Sequence, residues 1–157
     1  MKLYMKQKIF SFKDKFYIKD ENGNDKYYIE GELISFGKKL HVYDMKGNEV
    51  AFIREQMLKM LPTLRVFYNG EQVADITRKF SLLVPKYDIK GLDWEVIGKP
   101  MAHNYKITHG NSTIVTISKK WMTWADTYEF DIAEGADEVI VLATILAIDC
   151  AHDRAQD

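Results

Sequence analysis

A chain of 157 residues with a hydrophobic share of 46% is long enough for one buried core, and nothing in it is rich enough in Pro, Gly or Ser to act as a linker, so a single domain over residues 1–157 is expected. Its 22 basic and 23 acidic residues leave a formal net charge of −1, which excludes the bulk attraction that draws basic proteins onto nucleic acid. The lone Cys150 excludes an internal disulfide and suits a reducing compartment, and the absence of an apolar stretch of signal-peptide length near residue 1 makes the cytoplasm the default location.

In chain order, Lys2, Lys6, Lys8, Lys13, Lys15 and Lys19 crowd the beginning and Glu134, Asp137, Glu138, Asp149, Asp153 and Asp157 crowd the end. Such charges ordinarily keep a surface solvated. Between them the dominant pattern is alternation with period two, broken at short intervals by turn chemistry, as antiparallel strands require. KFYIKDENGNDKYYIEGE places Phe16 and Ile18 before a turn and Tyr27 and Ile29 after it. KLHVYDMKGNEVAFIRE sets Leu40 and Val42, then Val50 and Phe52, about Lys46-Gly47-Asn48. In LRVFYNGEQVADITRK, Asn69-Gly70 supplies the positive-φ residues of a type I′ hairpin, and NYKITHGNSTIVTISKK repeats the arrangement about Gly110-Asn111. With shorter strands expected at Ser81–Val84, Tyr87–Ile89 and Trp94–Ile97, the total approaches about a dozen.

The last element is different in kind. DEVIVLATILAIDC (137–150) is apolar from Val139 to Ile148 except for Thr144. As a helix that run spans roughly 15 Å, about half a bilayer core, and Asp137, Glu138 and Asp149 bracket it, so no transmembrane span is expected. A helix apolar on every side must be enclosed by protein on every side. A weak internal repeat suggests how: LHVYDMKGNEVAFIREQMLKMLPTLRVF and YKITHGNSTIVTISKKWMTWADTYEF align as hairpin, connector and strand, with Ile53 opposite Ile117, Met57 opposite Trp121 and Leu64 opposite Tyr128. Eight strands close a barrel that side chains fill and sixteen leave a channel; about twelve leave a bore that suits one helix. The fold class is therefore mainly β, a closed antiparallel barrel around a central hydrophobic C-terminal helix.

SKKWMTWADTYEFDI (118–132), followed closely by VIVLATILAID, together with the repeated hairpins, resembles the LURP-one-related family. The resemblance covers essentially the whole chain and implies a tubby C-terminal-like fold in a small member of bacterial type. It implies little about function. Relatives by fold include the phosphoinositide-binding tubby proteins and the phospholipid scramblases, and no catalytic or ligand motif of the family maps residue by residue onto this sequence. The Cys-rich palmitoylation segment and the added membrane tail of scramblases have no counterpart here.

Chemical motifs are scarce. His41, His103, His109 and His152 are spread along the chain without metal-ligand spacing to one another or to Cys150, and no nucleophile elbow, P-loop or G-x-G-x-x-G is present, so no enzyme activity, cofactor or metal is expected. DENGND (20–25) faintly resembles a calcium loop through Asp20, Asn22 and Asp25, but it lacks the bidentate Glu, and a hairpin turn needs the same residues. The candidate binding residues lie in two matching connectors: Arg54 and Lys59 in REQMLKMLP, and Lys119, Lys120, Trp121 and Trp124 in KKWMTWAD. Trp beside Lys suits a lipid headgroup region or a protein partner; the same Met and Trp side chains also suit closure of the barrel's open ends. The expected role is a non-enzymatic binding or scaffold module recognising anionic phospholipid, peripheral at a membrane. The alternative is a regulatory protein-interaction module, with a small-ligand carrier or enzyme last because the helix occupies the bore.

Overall fold

The alternating pattern becomes strand wherever a turn residue can reverse the chain. The computed structural model describes residues 1–6, 15–34, 37–57, 59–121 and 126–156, with the side chains of 33, 34, 121, 126 and 153–156 outside that description. Among the described residues the strands are β1 (Lys2–Met5), β2 (Phe16–Lys19), β3 (Asp25–Ile34), β4 (Gly37–Asp44), β5 (Glu49–Glu55), β6 (Thr63–Tyr68), β7 (Glu71–Lys79), β8 (Lys86–Lys90), β9 (Glu95–Lys99), β10 (Asn104–His109), β11 (Ser112–Trp121) and β12 (Asp126–Ile132). A 3₁₀ turn, Pro100–Ala102, precedes β10, and the helix α1 runs over Glu138–Gln156.

The turns use the expected chemistry. Asp20 and Asp44 begin identical loops: each carboxylate Oδ1 accepts the backbone N–H groups two and four residues on, at 2.9 and 2.9 Å in the first and 3.0 and 2.9 Å in the second. Gly23 and Gly47, at φ 81° and 87°, complete the reversals. The calcium-like residues of DENGND are thus spent on closing a hairpin. Asn69 and Gly70 both take positive φ, as a type I′ turn demands. Ser81–Val84 departs from expectation: it pairs with no strand. Pro85 lacks a donor and restricts the residue before it, so β8 starts only at Lys86.

The twelve strands form one antiparallel sheet in the order β8-β7-β6-β5-β4-β3-β2-β1-β12-β11-β10-β9, curled into a nearly closed barrel whose two ends, β8 and β9, meet at a seam. The internal repeat is real in three dimensions. Ile53 pairs with Val66 and Glu55 with Leu64 across β5–β6, while Ile117 pairs with Phe130 and Lys119 with Tyr128 across β11–β12. Each pair in the second set is the first moved by the same number of residues.

Asp137 starts α1: its Oδ1 accepts the N–H of Val139 at 3.0 Å and of Ile140 at 3.2 Å. Glu138, one residue later, accepts from Lys26 Nζ at 2.9 Å and from the Tyr27 hydroxyl at 2.6 Å, which ties the helix start to β3. Burial and that carboxylate push the Tyr27 phenol well up. From Val141 to Ala151 every residue is buried, and Thr144 satisfies its hydroxyl by donating to Ile140 O at 2.8 Å. No helix of the described residues is long and apolar enough to cross a membrane. The helix packs most closely on β5, β6 and β7, where Ala51 and Ala74 leave room, and Leu3, Met5, Tyr128 and Phe130 fill the wider far side. At its C-terminal end Arg78 Nη1 donates to His152 O at 3.4 Å, His103 Nε2 lies 3.6 Å from Asp149 Oδ1, and the His103 ring stacks on Tyr128 with centroids 4.2 Å apart.

Replacing Leu142, fully buried, by Asp places an unpaired charge among apolar side chains at a cost of several kcal/mol against a total stability of about 5–15 kcal/mol. The expected outcome is an insoluble chain or one without a cooperative thermal transition; a soluble variant melting like the parent would contradict an enclosed helix. Cys150 is likewise fully buried. A thiol reagent is expected to label the native protein slowly and the denatured protein at once, since burial suppresses both access and thiolate formation.

Candidate functional site

Strict antiparallel alternation sorts the connections to two ends of the barrel. One end carries the tight turns after β2, β4, β6, β8 and β10 and the start of α1. The other carries the connections after β1, β3, β5, β7, β9 and β11, of which those after β1, β5 and β7 are the longest, together with the helix C-terminus.

The charges follow the same axis. Among the described residues, Lys6, Lys15, Lys38, Lys39, Arg54, Lys59, Arg78, Lys79, Lys86, Lys99, Lys119 and Lys120 lie at or beside the connector end, where the acids are Glu32, the buried Glu55 and Asp149, Asp126 at the start of β12, and Glu30, Asp88 and Glu129, which pair with Lys15, Lys79 and Lys120. The turn end has Asp20, Glu21, Asp25, Asp44, Glu49, Glu71, Asp93, Glu95, Glu134, Asp137 and Glu138. Lys2, Lys19, Lys26, Lys46 and Lys90 offset only part of that charge. A near-neutral chain is therefore a molecule with a basic end and an acidic end, and of the early lysines Lys6 and Lys15 fall at the first and Lys2 and Lys19 at the second.

The connector end also exposes apolar side chains. Phe80, Leu82 and Leu83 in the β7–β8 connector are 93%, 103% and 93% exposed and Met60 in the β5–β6 connector 101%, with Met57, Val84 and Met101 about half exposed. These three connectors are neighbours around the rim, since β8 and β9 adjoin at the seam. Between the first two lies a small cleft of about 140 Å³ lined by Leu61, Pro62, Arg78, Lys79, Phe80, Ser81 and Pro85. All three prolines, Pro62, Pro85 and Pro100, stand at this end, where they keep the connectors from extending the sheet.

The sequence-predicted site residues reach the same end but not one cluster. Arg54 lies on the outer wall with its guanidinium 5.6 Å from the Phe67 ring centre, and Lys59 is exposed in the connector. Lys119 and Lys120 are exposed near the end of β11, and Lys120 Nζ is 3.5 Å from Glu129 Oε2. Trp121 is the last residue of β11; its side chain, and Trp124 altogether, lie outside the described residues. The two connectors stand across the barrel from each other, with β1–β4 between them on one side and β7–β10 on the other. Sequence reasoning missed the β7–β8 connector. Its signal was KFSLLVPK, an apolar run between cations that neither alternates nor contains a turn residue before its Pro.

The outer wall carries a second feature. Tyr17, Tyr28, Tyr43, His41, Phe52 and Phe67 form a ladder across β2–β6, with Tyr28 on Tyr43 at 4.8 Å and His41 on Phe52 at 5.0 Å between ring centres. His41 Nδ1 is 2.9 Å from Glu49 Oε1 and its Nε2 is 3.2 Å from Glu32 Oε2. The four histidines thus occupy separate places, and among the described residues no three His, Cys, Asp or Glu side chains come together as metal ligands.

The mainly β, nearly closed barrel around an apolar C-terminal helix is the tubby C-terminal-like fold. A solved X-ray structure of a protein from Arabidopsis thaliana superposes on it with a TM-score of 0.66 over 94% of this chain and 90% of that one, at 17% identity. The LURP-one-related family model matches residues 1–149, and the chain belongs to that family. It is 34% identical over 157 residues to YxjI of Bacillus subtilis (strain 168), described only as uncharacterized, covering 100% of this chain and 97% of that protein.

Burial lowers the His41 pKa, but hydrogen bonds with Glu49 and Glu32 outweigh it and hold the imidazole above 6.5. A raised folded-state pKa stabilises fully below the unfolded value and is lost as pH rises through the folded one. The melting temperature of the natural chain relative to His41→Gln is therefore expected to fall as pH rises from the ordinary histidine value of about 6.5 through the raised folded-state one. A difference independent of pH would show that His41 is not protonated against its two carboxylates.

Proposed function

We propose that this protein is a non-enzymatic module that docks its basic connector end on an anionic phospholipid surface, peripherally and from the cytoplasmic side. The observation that carries the reading is the coincidence, on one rim, of nearly fully exposed Phe80, Leu82 and Leu83 with Arg78, Lys79, Lys86 and Lys59. Contiguous apolar exposure rimmed by cations marks a surface awaiting an apolar partner, and a bilayer interface supplies both an apolar boundary and phosphates. Fully burying a Leu or Phe side chain yields about 1.5–3 kcal/mol, and each cation near an anionic leaflet about 1 kcal/mol. The sum suffices for reversible attachment. The acidic turn end is repelled by the same surface, which orients the barrel with the helix C-terminus toward the lipid. Lys119 and Lys120 form the far edge of this basic end and add to the attraction without being its centre.

The second reading, a regulatory protein-interaction module, is supported by the outer aromatic ladder, where Tyr17 is 40% exposed and cations lie over two of the rings, Lys15 on Tyr28 and Arg54 on Phe67.

Sedimentation with liposomes containing phosphatidylserine or a phosphoinositide, at low and moderate salt, distinguishes the two. The natural chain is expected to bind more tightly at low salt. A Phe80→Ser, Leu82→Ser, Leu83→Ser variant, which removes side chains that are almost fully exposed, is expected to melt normally and bind at least about tenfold more weakly. A Lys119→Glu, Lys120→Glu variant is expected to show a smaller loss. Absence of binding by the natural chain at low salt, or equal binding by the triple Ser variant, would remove the lipid reading and leave the aromatic ladder in front.

A further inference from the structure

The small cleft between the β5–β6 and β7–β8 connectors is held in shape from several directions. The Arg78 N–H donates to Pro62 O at 2.9 Å, which fastens the end of the first connector to β7, and Pro62 and Pro85 stiffen the two walls. Arg78 belongs to the inward row of β7, with the buried Ala74 and Ile76, so its side chain stands at the barrel mouth by the end of α1. There Nη1 donates to His152 O at 3.4 Å, a contact that uses one of the five N–H donors of the guanidinium and holds the group in place. Among the described residues no carboxylate lies within ion-pair distance of Arg78, whereas Arg65 on the same sheet is matched by Asp75 at 2.9 Å. Lys79, with Nζ 3.6 Å from Asp88 Oδ2, and Ser81 line the same cleft, and among the described residues no acid does. The backbone N–H groups of Ser81, Leu82 and Leu83 make no hydrogen bond among the described residues. The cleft is therefore rich in donors, and the guanidinium more than offsets the roughly half unit of negative charge at the helix end.

We propose that this cleft binds the phosphate of a phosphomonoester, with Arg78 as its bidentate partner and Lys79 and Ser81 on the remaining oxygen. Size and donor count select that group. At about 140 Å³ the cleft holds only a few waters, at about 30 Å³ each, and falls short of the roughly 300–1,000 Å³ that encloses a whole small molecule. It fits one charged group whose carrier stays outside. A carboxylate has two oxygens in one plane, which the guanidinium fork alone satisfies, leaving Lys79 and Ser81 unused. A phosphodiester has two free oxygens and two chains to lead away, and a monoester has three free oxygens and one chain. That chain leaves beside the exposed Phe80, Leu82 and Leu83, where the apolar boundary of a bilayer would lie. The inference rests on the lipid reading for its source, a headgroup ending in phosphate such as that of phosphatidic acid; the same chemistry takes inorganic phosphate from solution.

The test has two arms. Inorganic phosphate, titrated at constant ionic strength with sodium chloride as the balancing salt and followed by NMR, is expected to give saturable shifts at residues 61–62 and 78–85. No saturable shift, or shifts spread evenly over the basic end, would overturn the proposal. Phosphatidylcholine liposomes carrying phosphatidic acid or phosphatidylglycerol are then compared at equal surface charge. The natural chain is expected to bind the phosphatidic acid liposomes at least about tenfold more tightly, since only they present a monoester to the fork. Arg78→Lys, which keeps the charge and loses the fork, is expected to bring that ratio close to one. Equal binding of both liposomes without phosphate shifts would overturn the cleft and leave the lipid reading standing. Phosphate shifts at the cleft with no binding to either liposome would support the cleft and remove the lipid as its source. Should Arg78→Lys melt unlike the parent because His152 O has lost its donor, the phosphate titration and the ratio for the natural chain decide.

Discussion

A helix without a polar face admits few solutions in water. α1 buries residues on every side from Val141 to Ala151, so no single sheet or helix laid against it suffices. The wall must go all the way round, and a wall made from one continuous chain is most simply an antiparallel ring. From that requirement follow the strand number, the inward alternation of side chains, and the sorting of connections to two ends. The capped start of the helix, Asp137 and Glu138, is tied to β3 among the tight turns. Its C-terminus is held by Arg78, which donates to a carbonyl that the helix cannot satisfy itself.

The ring also separates charge. A helix of 19 residues is about 28 Å long, roughly three Debye lengths at physiological salt. The acidic turn end and the basic connector end therefore act on their surroundings almost independently, and a net charge of −1 describes neither. The partial negative charge at the helix C-terminus lies at the basic end and the partial positive charge at the acidic end, so the macrodipole and the side chains compensate each other. A surface approaching one end meets one sign.

Much of this architecture is legible in the sequence because it rests on local rules. Alternation, Asp-x-x-Gly-Asn and Asn-Gly turns and an uninterrupted apolar helix each act over a few residues, and the hairpin repeat transferred directly into strand register at Ile53 and Ile117. The candidate site is less legible because it depends on which connectors share an end and which adjoin around the rim. Arg54, Lys59, Lys119 and Lys120 were found as charged neighbours of apolar residues, yet the fold places them across the barrel from each other. Leu82 and Leu83, within the expected strand Ser81–Val84, read as a strand because an apolar run looks buried in one dimension; Pro85 and the lack of a pairing partner leave them, with Phe80, in solvent.

The repeat also shows where the molecule departs from its own symmetry. Strands β4–β6 and β10–β12 match in register and serve the axle. β2 and β3 are paired through the Asp20 turn, whereas their counterparts β8 and β9 are joined through Gly91 and left unpaired. The second half of the chain thus replaces a turn closed by its own Asp with one tucked against β7, and a strand continued into its neighbour with one kinked at Gly98 and stopped at Pro100. A structure selected only to enclose its helix gains nothing from this, since a closed seam would shield α1 better and hide two edges from aggregation. The exposed apolar connector lies on the same arc. Both features occupy the part of the ring that the repeat leaves free to vary, while the matched strands opposite hold the barrel together.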